Sequence, residues 1–99
     1  MKRLKPSKII ALIEKHKNDL RKYNVKKIGL FGSFLKMNHN PKSDLDFLVT
    51  FNHLSYDNYI ELKFFLEKLF NRKIDLVIEK SLKPSLKYVT KEALYAKRL

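Results

Sequence analysis

Ninety-nine residues make one domain near the modal size, expected to span 1–99, with no room for a second core. Hydrophobic residues at 44% and aromatic residues at 12% support a packed core and exclude wholesale disorder, while the absence of cysteine excludes a disulfide framework, a thiolate zinc site and a cysteine nucleophile. Lys+Arg 22 against Asp+Glu 10 gives a formal net charge of +12, a field that points to an anionic partner without naming it. No apolar run approaches the ~20 residues of a membrane span. The basic start Met1-Lys2-Arg3 leads into a patterned segment rather than a solid apolar stretch, so no signal peptide and a cytoplasmic chain are expected.

The charge is uneven. Residues 1–30 carry a net +8 and residues 61–99 a net +5, but residues 31–60 carry −1. An acidic island between two basic flanks is foreign to a generic nucleic-acid binder, and it directs attention to the middle of the chain.

In chain order, Ile9, Ile13, His16, Leu20 and Tyr23 recur at helical spacing and predict an amphipathic helix over 7–23, with Ser7 as N-cap and Asn24 as stop. His16 falls on the apolar stripe with no second ligand a turn away, and is read as a packing or boundary residue. Val25 to Phe31 predicts a strand, broken by Gly32-Ser33. Phe34 to Met37 suits a short helix and residues 38–43 a loop. Asp44 to Phe51 alternates as a second strand, with Asp44, Asp46, Leu48 and Thr50 on one face and Leu45, Phe47, Val49 and Phe51 on the other. A second helix is predicted over 56–71 with Ser55 as its cap, then a third strand over 73–78. Lys83-Pro84-Ser85 reads as the start of a final basic helix running to the end. The order predicts an α/β (α+β) chain, a small sheet carrying helices on one side.

The chemistry concentrates in Gly32-Ser33, ten residues, then Asp44-Leu45-Asp46. Two aspartates two apart on a strand leave the same face ~7 Å apart at Cα. They repel unless a cation or protons sit between them, and hard oxygen donors on a rigid strand suit Mg²⁺. Asp75 offers a third carboxylate from a neighbouring strand, either as a further metal ligand or as a base; Glu79 is its rival, past the predicted strand end. Glycine after a strand lets backbone approach a phosphate, and a serine opening a helix offers a hydroxyl and unpaired N–H groups to an anion.

Gly32-Ser33-x10-Asp44-x-Asp46, followed by Phe47-Leu48-Val49, resembles the signature of the polymerase β-like nucleotidyltransferases. The short length and Lys83-Pro84…Glu92-Ala93-Leu94-Tyr95 resemble the minimal nucleotidyltransferases, the MNT-domain antitoxins. The resemblance implies the polymerase β-like nucleotidyltransferase fold, a small mixed sheet with helices mainly on one face. It implies ATP as substrate with Mg²⁺. Gly32, Ser33 and Lys36 would face the phosphates, and Asp44, Asp46 and Asp75 would be the catalytic, metal-holding carboxylates. Lys36-Met37 stands where the family often has Arg-Gly, keeping a positive charge without the bidentate fork. The implied partner is a HEPN-domain toxin, a helical ribonuclease, neutralised by binding or by AMP transfer to a tyrosine.

Three functions follow as expectations: a protein adenylyltransferase antitoxin, an antitoxin acting by binding alone, and a basic nucleic-acid binder. The last ranks lowest, because no reader motif accompanies the charge. Tyr88, Leu94, Tyr95 and Leu99 are expected to pack on the sheet before meeting a partner. The wide apolar helix faces also allow a homodimer.

Overall fold

The computed structural model describes residues 5–36, 43–97 and 99. Met37, residues 38–42 of the loop expected over 38–43, and the basic start at 1–4 lie outside the described residues.

The first helix begins earlier than expected and is interrupted. Pro6 occupies its first turn, where a missing N–H costs nothing, and Ser7 lies inside the helix rather than at its cap. α1 runs Pro6–Lys15 and α2 runs Lys17–Lys22, with His16 between them. The Leu12 carbonyl lies 3.0 Å from His16 Nδ1, so that nitrogen is the donor. The His16 backbone N–H turns instead to the Ile13 carbonyl, which tightens the turn and breaks the helix. The imidazole also meets Phe65 edge-on, so His16 is the boundary and packing residue its position suggested. Asn24 then takes a left-handed φ of 61° and ends the helical segment.

The chain continues through β1 (Val25–Phe31), β2 (Leu45–Phe51), α3 (Tyr56–Phe70) and β3 (Ile74–Ile78). A 3₁₀ turn follows at Glu79–Ser81 and another at Pro84–Leu86, then α4 (Val89–Glu92) and β4 (Leu94–Tyr95). The Ser55 hydroxyl accepts from Asn58 N–H and caps α3 as expected. The sheet order is β3-β2-β1-β4. β1 runs antiparallel to β2 and to β4, and β2 runs parallel to β3, so the sheet is mixed. The parallel pair is connected through α3, as a crossover requires.

One face of the sheet holds the core. Ile28, Leu30, Leu45, Phe47, Val49 and Ile74 meet Ile9, Ile13 and Leu20 from α1–α2 and Leu62, Leu66 and Phe70 from α3. Tyr59 ties α3 to β3 by donating to the Leu76 carbonyl at 2.6 Å. The opposite face carries Asp46, Leu48 and Thr50, as the alternation of β2 dictates. Leu48 is fully buried yet stands apart from the main core.

The expected final helix is corrected. Beyond residue 85 the chain makes two single turns and then pairs Leu94–Tyr95 with Leu30–Gly29 of β1. The cause is tertiary: Gly29 has no side chain, and Tyr95 occupies the space, its Cδ1 only 2.6 Å from where a Gly29 Cβ would stand. Ala96 N–H donates to the Ile28 carbonyl and Lys97 N–H to Glu14 Oε2, which fasten this segment to β1 and α1. Tyr95 packs over Gly29 and Leu99 against the core, but Tyr88 and Leu94 are exposed. No helix among the described residues is long and apolar enough to cross a membrane.

Phe47 is fully buried at the centre of β2 and meets Phe70 with ring centroids 5.8 Å apart. Phe47→Ala is expected to cost about 3–5 kcal/mol by urea denaturation. A loss under about 1 kcal/mol would show that the sheet–α3 interface is not the main core.

Candidate active site

The register of two ladders assembles the site. Antiparallel pairing sets Phe31 opposite Asp46, so Gly32-Ser33 emerges beside that carboxylate. Parallel pairing sets Asp46 directly opposite Asp75. Side chains of direct partners leave the same face, and here the two carboxyl groups hydrogen-bond to each other. Asp44 lies just before β2, half-buried, close enough for its charge to act on Asp46. Asp75 and Asp44 thus both act on Asp46. Among the described residues, no group of three acidic, histidine or cysteine side chains is placed so as to hold a metal ion together.

Burial, then the neighbouring Asp75 carboxylate and its hydrogen bond, then the charge of Asp44, push Asp46 up to about 6 from 3.8. A carboxylate crowded by two others is an electrostatic conflict, and a hard divalent cation would relieve it as well as a proton does. The hard oxygen donors of the Asp46–Asp75 pair are the kind such an ion takes.

Gly32 has a φ of +79°, and a Cβ at that position would overlap the Asp46 carboxylate. Only glycine satisfies both constraints. After it the chain makes one helical turn, Lys36 N–H donating to the Gly32 carbonyl at 3.2 Å. Ser33 sits in that turn, half-buried. Phe34, fully buried, anchors the turn in the core. Lys36 is exposed and stands 3.9 Å from Glu92 Oε2, a weak surface pair.

Gly32, Lys36 and Asp75 share a cavity of about 540 Å³ with Phe31 and Val77 of the sheet and Leu82, Leu86, Tyr88 and Val89 of the C-terminal segment. That wall was not legible in the sequence, because it exists only when the segment after β3 folds back across the sheet. Glu79, the rival to Asp75, lies elsewhere: it accepts from the Thr50 hydroxyl at 3.1 Å, toward the other end of β2.

Arg72 was also missed. Its guanidinium lies 4.9 Å above the Phe34 ring, and its Nη1 donates to the Ser43 carbonyl at 3.4 Å. One side chain between α3 and β3 thus touches the neighbour of Ser33 and the neighbour of Asp44. Its Nε is buried with no acceptor among the described residues. A lone arginine in a turn carries no motif that could have announced this.

A family model for the nucleotidyltransferase domain matches residues 13–97. The chain belongs to that family. A Methanocaldococcus jannaschii relative, provisionally named a protein adenylyltransferase, is 41% identical over 77% of this chain and 80% of its own length. The protein adenylyltransferase MntA of Thermococcus cleftensis is 38% identical over 88% of this chain and 91% of its own. Among solved structures, one provisionally described as a minimal nucleotidyltransferase superposes with a TM-score of 0.77 at 27% identity, covering 95% of this chain and 98% of that one. A chain from the complex of a tri-AMPylated Shewanella oneidensis HEPN toxin with an MNT antitoxin superposes with a TM-score of 0.52 at 27% identity, covering 78% of this chain and 61% of that one. The fold is therefore the minimal nucleotidyltransferase fold, and the chain is a nucleotidyltransferase enzyme resembling protein adenylyltransferases.

Two outcomes follow from the geometry. Gly32→Ala is expected to cost about 1–3 kcal/mol of stability, because alanine must adopt the left-handed region against the Asp46 carboxylate. A denaturation midpoint equal to wild type would contradict the crowding. Separately, native metal-free protein holds a proton on Asp46 that the unfolded chain gives up at lower pH. Stability should fall as pH rises from about 4 to about 6 and level off above. Asp46→Asn should remove that component, so identical pH profiles for wild type and variant would count against the coupled carboxylates.

Proposed function

We propose that this chain transfers AMP from ATP to a tyrosine hydroxyl of a HEPN-domain toxin, with Mg²⁺, and so acts as the antitoxin of the pair. The observation that carries the reading is the junction of Gly32 with the Asp46–Asp75 pair at the edge of a nucleotide-sized cavity. The names of the related adenylyltransferases and the AMPylated toxin in the neighbouring complex support the acceptor class. The reading takes the chain as one domain working in the cytoplasm, where ATP and Mg²⁺ are supplied.

Asp44, Asp46 and Asp75 would hold the Mg²⁺. When bound, the ion supplies neutralising charge for the triphosphate and acidifies the attacking hydroxyl. The chain's own residues do the rest. Gly32 lets the backbone of the turn approach the triphosphate, and the turn's N–H groups and the Ser33 hydroxyl hold phosphate oxygens. Lys36 adds a positive charge once it leaves Glu92. The acceptor oxygen attacks the α-phosphorus, the bond to the β-phosphate oxygen breaks, and pyrophosphate departs. Asp75, exposed at the cavity edge, takes the proton from the attacking hydroxyl. Apolar side chains of the cavity, Phe31, Val77 and Leu86 among them, cover the nucleoside.

A second reading, neutralisation by binding alone, draws on the Lys36–Glu92 pair, which engages the phosphate-facing lysine. One experiment separates them. Wild-type protein with α-labelled ATP, Mg²⁺ and its cognate HEPN-domain partner should label the partner, and Asp46→Asn should reduce labelling by about a hundredfold or more. Equal labelling by wild type and variant would overturn the catalytic assignment. No labelling by wild type, with the Asp44→Ala/Asp46→Ala protein still neutralising the partner, would establish the binding-only reading.

A further inference from the structure

A second cavity lies on the same sheet face, toward the opposite ends of β1 and β2. It holds about 290 Å³ and is lined by Lys26, Lys27, Thr50, Glu79, Lys80 and Lys87. Along β2 it stands four residues from Asp46, roughly 13 Å away, with the fully buried Leu48 between. It is therefore separate from the carboxylate site.

Its construction is specific. In a regular strand, consecutive residues point to opposite faces, so Lys26 and Lys27 could not line one cavity. The β1–β2 register slips here: Val25 pairs with Phe51 but Lys27 with Thr50, leaving Lys26 as an extra residue in a bulge. The bulge is what brings both lysines to the same cavity. Lys80 arrives from the turn after β3 and Lys87 from the C-terminal segment. Four lysines therefore converge from three parts of the chain.

Among the described residues one acid, Glu79, lines the cavity, and it is already engaged. Glu79 accepts from the Thr50 hydroxyl at 3.1 Å and pairs with Lys27 at 3.5 Å. Lys27 in turn lies 4.6 Å above the Tyr95 ring, which fixes it from the other side. Lys26, Lys80 and Lys87 have no ion pair among the described residues. Four lysines against one glutamate leave three positive charges in excess around one small cavity. Their mutual repulsion disfavours the fold, and no packing need explains it, since all four are exposed.

We infer that this cavity is a second anion site that takes a phosphate group of a multiply charged ligand. Lysine is a compact point charge suited to phosphate. A cavity at the small end of ligand sites suits a phosphate or polyphosphate. A peptide carboxylate brings a single charge and would leave most of the excess unanswered. The phosphate could belong to a free polyphosphate or to an oligonucleotide backbone. The inference is independent of the transferase reading, because none of these residues belongs to the carboxylate site.

The test is an amide-resolved NMR titration of the metal-free protein with inorganic tripolyphosphate, which separates the two sites by residue. Saturable shifts at Lys26, Lys27, Lys80 and Lys87 are expected, and Lys26→Ala/Lys80→Ala/Lys87→Ala should weaken that binding by about tenfold or more. A control variant, Lys15→Ala/Lys17→Ala/Lys68→Ala, removes equal charge elsewhere and should bind nearly as wild type. Shifts confined to residues 32–36, or equal weakening by both variants, would overturn the site. A single-stranded oligoribonucleotide that binds the cavity about tenfold more tightly than tripolyphosphate would assign the phosphate to a nucleic-acid backbone, and the reverse order to a free anion. Oligoglutamate binding as tightly as either would refute the phosphate assignment.

Discussion

Everything at the carboxylate site depends on one parity constraint. Leu45, Phe47 and Val49 must face the helices to close the core, so Asp46 must face away from them. Parallel pairing with β3 applies the same parity to Ile74 and Leu76, which puts Asp75 beside Asp46. The hydrophobic effect thus forces two carboxylates together on the face turned away from α1–α3, against their electrostatic preference. A slip of one residue in either strand would turn that strand's aspartate into the core and its apolar residues out to solvent, so the register that stabilises the fold is the register that builds the site. Function here is coupled to core packing rather than added to it.

That coupling explains which features were legible. Strand alternation and the glycine break are local, and they carried the α/β class, the placement of Gly32-Ser33, Asp44 and Asp46, and the prospect of Asp75. The C-terminal segment was misread because its local pattern, Pro84 followed by basic and apolar residues, satisfies a helix. Its true structure is set by the unpaired edge of β1 and the space over Gly29, both distant in sequence. His16 was placed on the correct stripe, but the helix break needs its side-chain bond to Leu12, which periodicity does not encode. The bulge at Lys26 and the reach of Arg72 to Phe34 and Ser43 belong to the same class: each is a tertiary fact with no motif.

The positive charge that dominates the composition has two roles in this fold. Part of it is dispersed over the solvent faces of α1, α2 and α3, where Lys15, Lys17 and Lys68 stand exposed. Another part is gathered on the sheet face opposite α1–α3, at both ends of that face. Lys36 borders the carboxylates at one end, and the four lysines ring the second cavity at the other. The same face thus presents a negative centre flanked by positive borders, an arrangement suited to drawing in a polyphosphate and aligning it along the strands.

The two-residue strand β4 has a consequence of its own. It covers part of the outer edge of β1, with Tyr95 seated over Gly29 and Ala96 bonded to Ile28. Without it, a stretch of strand rich in apolar residues would offer unanswered N–H and C=O groups to any neighbouring chain. Leu94–Tyr95 therefore serves as a guard against self-association as well as a packing element. Shortening the tail before Leu94 would invite edge-to-edge aggregation even with every residue of the carboxylate site intact.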